Sequence, residues 1–297
     1  MTQSAKVGFE GTIGSFSEEA LNNLFRQDAF QQIQKEAIGF PTFEAVCQKV
    51  ADGSLKYGLL PIENSIAGSC FDVLDLISKH NLSIVGEYEQ EERQLLVALP
   101  GVSLNEITEV HSHPYAFDQC RPYLATLNKK LVQALDTAES CKLIQNQKSK
   151  TIAAIAGAYA AKLYGLNVLH ELESLAVTRY ILVSKTAVIP ERHLIPRTSM
   201  EIVLKNQVGA FLKAITVFSH RDINISKIES RPSSRSILLR KPWEYVVYLD
   251  VDGGLNEDKL GKAIENLKEF ATVRVLGSYP RYQSPPKESS GVYGFGV

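Results

Sequence analysis

Leu175-Ala-Val-Thr178-Arg179-Tyr180-Ile-Leu-Val-Ser184 is an apolar run, rich in Val, Ile and Tyr, with a hydroxyl and a guanidinium set near its start. Its composition reads as a buried strand. Burying Arg without a partner is expensive, because a protein interior cannot replace its hydration. Arg179 therefore meets either a carboxylate of the protein, in a structural ion pair, or one brought by a ligand. The rest of the chain must decide between them.

The chain has 297 residues and is 44% hydrophobic, enough for a sizeable core and two domains. Lys+Arg 32 against Asp+Glu 33 leave a formal charge of -1, which gives no footprint for nucleic acid or an anionic membrane. No apolar run approaches a membrane span. Met-Thr-Gln-Ser-Ala-Lys passes straight into a strand pattern, without a signal-peptide or transit-peptide character. These features predict a soluble, cytoplasmic protein, or a plastid-stroma protein if a transit peptide has been removed. Cys47, Cys70, Cys120 and Cys141 lack metal-ligand spacing and read as reduced core thiols.

Residues 5–170 alternate short apolar runs with helical patterns, the rhythm of an α/β domain. Strand Ala5–Phe9 leads to Gly11-Thr-Ile-Gly14-Ser15-Phe-Ser17-Glu18 and a helix to about Arg26. Ser15 and Glu18 fit a capping box. Such a helix start offers N–H groups to a carboxylate or phosphate, though a plain turn has the same pattern. The strand Tyr57–Pro61 delivers Glu63, Asn64 and Ser65 at its carboxyl end, where ligand sites lie in open α/β sheets. Turn chemistry would also place Asn and Ser there.

Leu82–Gln90 and Gln94–Leu99 read as strands carrying the chain into a second lobe. A strand ends at His111-Ser112-His113-Pro114, and a single helix is expected from Tyr115 to about Leu127. With no acidic or Cys ligand near them in sequence, His111 and His113 read as structural. Asp136-Thr137-Ala138-Glu139 is another capped helix start. A strand at Thr151–Ile155 precedes an Ala-rich helix read within Ala153–Gly165.

Pro190–Pro196 reads as a linker. Beyond it come strand Met200–Lys205, helix Gly209–His220, strand Ile223–Ser230, strand Trp243–Asp250, helix Glu257–Phe270 and strand Thr272–Gly277. This βαββαβ order is the ferredoxin-like unit. Its middle connection is the charged stretch Arg231–Lys241, and residues 280–297 read as a mobile tail.

Taken together, the ordered motifs resemble the prephenate dehydratases, a group that includes the arogenate dehydratases, with a C-terminal ACT domain. They are Gly-x-x-Gly-Ser-Phe-Ser at 11–17, Leu-Pro-Ile-Glu-Asn-Ser at 60–65, Ser-His-Pro at 112–114 and Asp-Thr-Ala at 136–138. Further along are Leu-Tyr-Gly-Leu at 163–166, Thr-Arg-Tyr at 178–180, Gly-Ala-Phe at 209–211 and Lys-Ile-Glu-Ser-Arg-Pro at 227–232. The resemblance covers about residues 5–280. It implies a bilobal, periplasmic-binding-protein-like α/β catalytic domain at 5–184, a linker at 185–198, and a ferredoxin-like ACT domain at 199–279.

The resemblance also implies a chemistry: prephenate loses CO2 and water to give phenylpyruvate, or arogenate does so to give L-phenylalanine. No metal or organic cofactor is needed, because forming the aromatic ring drives the elimination. In that reading Thr178 serves the leaving hydroxyl as the last link of a polar network, since a Thr hydroxyl is a poor acid alone. Arg179 clamps a substrate carboxylate, which tips the opening question toward the ligand. Glu63, Asn64 and Ser65 orient the leaving hydroxyl and the side chain, and Thr137 adds a hydroxyl at a helix start. Ser15, Asp136, Ala138 and Tyr180 complete the substrate site. L-Phenylalanine is implied as a feedback effector held between ACT domains of a homodimer or homotetramer. Its residues would be Asn206, Val208, Gly209, Ala210, Phe211, Glu229, Ser230, Arg231 and Pro232.

The chain departs from the family pattern where Ala176 replaces the usual Asn, Tyr180 the usual Phe, Thr12 the usual Pro and Phe211 the usual aliphatic residue. A reading of another class is a non-catalytic amino-acid sensor, since a two-lobed cleft can bind without reacting. The intact Thr178-Arg179 pair weighs against it.

Overall fold

The computed structural model describes residues 3–173, 176–232 and 245–284. Leu175, Trp243, most of the Arg231–Lys241 connection and all but the first residues of the expected tail lie outside that range. The first lobe holds β1 (Gln3–Glu10), α1 (Phe16–Leu24), β2 (Ile33–Phe40), α2 (Phe43–Ala51), β3 (Tyr57–Asn64), β4 (Gly68–Ser69), α3 (Phe71–Lys79) and β5 (Ser83–Glu92). The second holds β6 (Leu95–Ala98), β7 (Glu109–Ser112), α4 (Pro114–Gln119), α5 (Arg121–Leu127), β8 (Lys130–Gln133), α6 (Thr137–Gln147), β9 (Ile152–Ala156), α7 (Ala158–Leu163) and β10 (Asn167–Glu171). β11 (Ala176–Ser184) returns the chain to the first lobe.

Strand order β2-β1-β3-β11-β5, with β4 paired to β3, forms one sheet, and β10-β6-β9-β7-β8 forms the other. The chain crosses between lobes twice, from β5 to β6 and from β10 to β11, so the architecture is bilobal as expected. Short polar caps start the helices that face the crossing. Ser15 accepts from the N–H of Glu18, and Asp136 from that of Ala138. Glu18 reaches the Gly14 N–H instead of closing a capping box on Ser15.

Two local expectations need correction. The single helix expected over Tyr115–Leu127 breaks at Cys120, because Pro122 has no N–H to continue the ladder and starts α5 afresh. The Ala-rich helix begins at Ala158, since Ala153–Ala156 are fully buried as part of the central strand β9.

β12 (Pro196–Leu204), α8 (Ala210–Ser219), β13 (Ile225–Pro232), β14 (Tyr245–Asp252), α9 (Asp258–Lys268) and β15 (Ala271–Pro280) build the third unit. Its antiparallel sheet runs β13-β14-β12-β15, the ferredoxin-like order. One face packs on α8 and α9 through Met200, Ile202, Phe218, Leu260 and Leu267. The opposite face packs on the first lobe, where Val246, Tyr248, Leu276 and Tyr279 share a core with Ile62, Ile84, Ile181 and Val183. Backbones touch there: a Cβ on Gly277 would lie 2.1 Å from the Ile84 carbonyl oxygen. Among the described residues, no helix is long and apolar enough to cross a membrane.

Gly277→Ala is therefore expected to destabilise the protein by about 1–3 kcal/mol, the usual cost of overpacking. Denaturant unfolding measures it, and an unchanged midpoint would show that β15 and β5 have room to part.

Candidate active site

Adjacent strand residues point to opposite faces. On β11, Thr178 is paired with Asn64 and Gln90, and Arg179 with Glu63 and Glu89. The pair quoted at the outset is thus divided between two environments.

Thr178 faces the cleft between the lobes and is only 4% exposed. Its Oγ1 accepts from Asn64 Nδ2 at 2.7 Å and donates to Glu92 Oε1 at 2.6 Å. Asn64 is locked by its own Oδ1, which accepts from the N–H groups of Ile66 and Ala67 and from the Tyr115 hydroxyl of the second lobe. With every polar atom of Asn64 engaged, Thr178 has one defined orientation. Ser65 does not reach the cavity. Its hydroxyl accepts from Val177 N, and its own N–H donates to Val177 O, so it pins the end of β3 to β11.

A cavity of about 220 Å³ opens beside this group. The first lobe lines it with Glu10, Phe16, Ser17, Glu92, Gln94 and Tyr180. The second lobe contributes His113, Tyr115, Ala116, Leu135, Asp136 and Thr137. Three of these side chains are carboxyls, and none is Lys or Arg. Burial raises the Glu10 carboxyl above its ordinary range, and the nearby charge of Asp136 adds to the effect. Burial likewise raises Glu92, opposed by hydrogen bonds from Thr178 and Gln119. Tyr180 is held neutral far above the usual phenol range by burial and by the charge of Glu92.

The lobes are held together around the cavity. Asp136 Oδ2 accepts from Thr12 N at 3.0 Å and Thr12 Oγ1 at 2.9 Å, across the gap. The Tyr164 hydroxyl donates to Ile13 O at 2.8 Å. Thr12, where the family has Pro, thus supplies two donors that a Pro would lack. Of the residues expected here, Asp136, Thr137 and Tyr180 line the cavity, whereas Ser15 and Ala138 are buried in the two helix starts behind it.

Arg179 is a correction to the expected substrate clamp. Its guanidinium lies on the other side of the sheet, 5% exposed, among protein carboxylates. Nε is 2.7 Å from Glu63, Nη1 3.3 Å from Glu87 and Nη2 2.6 Å from Asp250. Burial alone would lower its pKa, but Asp250, Tyr279, Glu87 and Glu63 outweigh that and raise it. Glu87 also takes Arg197 Nη1 at 2.7 Å and the N–H of Tyr282 at 3.0 Å. Glu63 is corrected with it: its carboxylate joins Arg179 and, at 2.5 Å, Lys227 Nζ, and so points away from the cleft. Arg179→Met would leave buried carboxylates unmatched, with an expected loss of about 3–5 kcal/mol. Thermal and denaturant unfolding read it directly; wild-type stability in the variant would mean the cluster has no structural weight.

A second cavity, about 300 Å³, lies in the third unit between the β12–α8 loop and β13. Asn206, Ala210, Phe211 and Ser230, all expected there, line it with Ile228 and Tyr245. Gly209 caps α8 with φ +77°, a conformation that favours glycine. Val208 is fully exposed outside the cavity, and Pro232 sits at the strand end opposite Tyr245. Glu229 and Arg231 are corrected, because alternation along β13 turns them to the first lobe. Glu229 lies 3.4 Å from Lys227 Nζ, and Arg231 3.1 Å from Asp75.

Glu10, Glu92, Gln94 and Tyr115 were not anticipated. Glu92 ends β5 within the charge-rich run Glu87–Arg93, which resembles a solvated strand edge; only its register against β11 reveals it. His111 pairs with Glu109 at 3.0 Å, a structural role, whereas His113 caps α4 and also borders the cavity.

The prephenate dehydratase family model matches residues 7–188. A curated relative from Arabidopsis thaliana, "Arogenate dehydratase/prephenate dehydratase 2, chloroplastic", is 34% identical over 283 residues, which is 93% of this chain and 72% of that protein. Among solved structures, prephenate dehydratase from Arthrobacter aurescens in complex with L-Phe superposes with a TM-score of 0.80 at 30% identity, covering 93% of this chain and 90% of that one. A protein described as GqqA, a novel type of quorum quenching acylase, also gives a TM-score of 0.80, at 27% identity, over 93% of this chain and 98% of that one.

Proposed function

The chain belongs to the prephenate dehydratase family and is a hydro-lyase, and from this premise we propose that its cleft carries out the decarboxylating dehydration of prephenate or arogenate. The observation that carries this reading is the Asn64–Thr178–Glu92 chain of hydrogen bonds at the cavity wall. It sets one oriented hydroxyl beside a small cavity that opens between two helix starts. The substrate's ring hydroxyl would sit on Thr178. Free N–H groups at the starts of α1 and α6, around Phe16, Ser17 and Thr137, suit a carboxylate. The carboxylate that leaves as CO2 gains from being in poorly solvating surroundings.

The charge of the cavity favours arogenate over prephenate. Glu10 and Asp136 repel one another across it, with no Lys or Arg among the described residues that line it. The side-chain ammonium of arogenate would relieve that repulsion, whereas the ketone of prephenate would not.

We propose that L-phenylalanine acts as an effector at the 300 Å³ cavity of the ACT unit, where the turn before α8 offers backbone N–H groups. The L-Phe complex of the Arthrobacter aurescens enzyme supports this reading. Phe211, Leu212, Ile228 and Tyr245 leave an exposed apolar face around that cavity, which a second copy of the chain would cover.

The test is turnover of both substrates side by side, with and without L-phenylalanine. We expect a higher kcat/KM with arogenate and a fall in activity when phenylalanine is added. Thr178→Ala should lower kcat by about 10²–10⁴. Activity in that variant within a few-fold of wild type, or no turnover of either substrate by wild type, would overturn the reading.

A further inference from the structure

Dehydration with decarboxylation consumes a proton: the substrate gives up CO2 and a hydroxide-equivalent, and the hydroxide must leave as water. Thr178 touches the departing oxygen in the proposed reading, but an alcohol is too weak an acid to lose its own proton unaided. The proton has to arrive from behind it. Thr178 Oγ1 has two neighbours on the protein side. Asn64 Nδ2 donates at 2.7 Å and cannot give up a proton at working pH. Glu92 Oε1 lies at 2.6 Å, on a side chain 7% exposed that also borders the cavity.

We propose that the Glu92 carboxyl supplies, through Thr178 Oγ1, the proton that the departing hydroxyl takes. The inference rests on the dehydratase reading. A hydroxyl accepts two hydrogen bonds and donates one. With Glu92 protonated, Thr178 accepts from both Asn64 and Glu92 and turns its single hydrogen to the substrate. In the step, the Glu92 O–H bond breaks as a new O–H bond forms at Thr178. The original Thr178 proton bonds to the leaving oxygen. The ring C–O bond breaks with its electron pair going to water, while the electrons of the breaking C–COO⁻ bond enter the ring and CO2 departs. Thr178 ends unchanged, and the Glu92 carboxylate regains a proton from solvent through the cleft. Glu92 acts through Thr178, and so is a positioning residue that carries the proton to the group in contact with substrate.

The surroundings of Glu92 favour its acid form. Burial raises the carboxyl, and the described residues that line the cavity include no Lys or Arg. β11 presents Tyr180, α4 presents Tyr115 and Gln119, and Cys70 precedes α3; burial raises the phenols and pushes the Cys70 thiol up to about 11, so all are neutral. Across the cavity stand the carboxyls of Glu10 and Asp136 and the ring of His113. On its own strand, Glu91 and Arg93 pair with each other at 3.1 Å on the exposed side. Burial acts toward a protonated carboxyl and outweighs the hydrogen bonds from Thr178 and Gln119 that oppose it.

Glu92→Gln keeps the size and a hydrogen bond to Thr178 but has no proton to give. In the full-length protein, wild-type kcat should fall as pH rises through the raised Glu92 pKa, because the acid form is the active one. Glu92→Gln should lower kcat at least about 10²-fold with KM little changed, and its remaining activity should be flat over that pH range. Glu92→Asp should restore part of the activity together with the alkaline fall. Infrared difference spectra of wild type against Glu92→Gln, taken without substrate over a pH series, should show a protonated-carboxyl band that belongs to Glu92 and persists above the ordinary carboxylate range. An alkaline fall retained in Glu92→Gln, kcat within a few-fold of wild type, or the absence of that band would each overturn the proposal. If wild type turned over neither substrate, the dehydratase reading would fall by itself, while the band would still report whether Glu92 holds a proton.

Discussion

A single guanidinium, that of Arg179, sits among three carboxylates drawn from three strands: Glu63 of β3, Glu87 of β5 and Asp250 of β14. Two of those strands flank β11 in the first lobe, and the third belongs to the C-terminal ferredoxin-like unit. A buried cation of this kind has to be matched by fixed negative charge, and each carboxylate in turn needs its cation. The cluster therefore sets β11 against its neighbours and docks the C-terminal sheet in one position. Ser199 and Tyr279 extend it as hydrogen-bonded neutral groups, with Ser199 Oγ 2.6 Å from Asp250 Oδ1. Because strand faces alternate, holding Arg179 on one side holds Thr178 on the other. The precision of the cleft is in this sense a consequence of an ion cluster behind it.

The same alternation acts on β13. Ile228 and Ser230 line the cavity of the C-terminal unit, while Lys227, Glu229 and Arg231 face the first lobe. Lys227 reaches Glu63 and Ser69, at 2.5 Å and 3.2 Å. Glu63 is the chain neighbour of Asn64, which orients Thr178. One strand thus borders a cavity of about 300 Å³ with one face and, with the other, the carboxylate next in sequence to Asn64.

Much of this fold was legible in the residues. The apolar runs at β1 and β3, the capped starts Ser15 and Asp136, and the βαββαβ rhythm after the linker each point to one local structure, and the structure contains them. Thr178 was readable through its motif. The partners of Arg179 were not: Glu87 lies 92 residues before it and Asp250 71 residues after it, and nothing local marks either as its counter-charge. Burial cost correctly demanded a carboxylate, but the choice between ligand and protein depended on which face of β11 the side chain takes. Glu63, Glu229 and Arg231 were misread for the same reason, since membership of a motif does not say which side of a strand a side chain occupies. Glu10 and Glu92 were hidden differently. Each sits at the end of a strand, where an acidic residue reads as solvated, until the second lobe closes over it.

The most direct test of the division between Thr178 and Arg179 is a crystal structure of the protein with an unreactive analogue of the substrate in the cleft. The expected result is a ligand bordered by Thr178, Glu92 and Thr137, with Arg179 Nη2 still on Asp250 at about its present 2.6 Å. A guanidinium swung through to a ligand carboxylate, with Asp250 and Glu63 released, would contradict it.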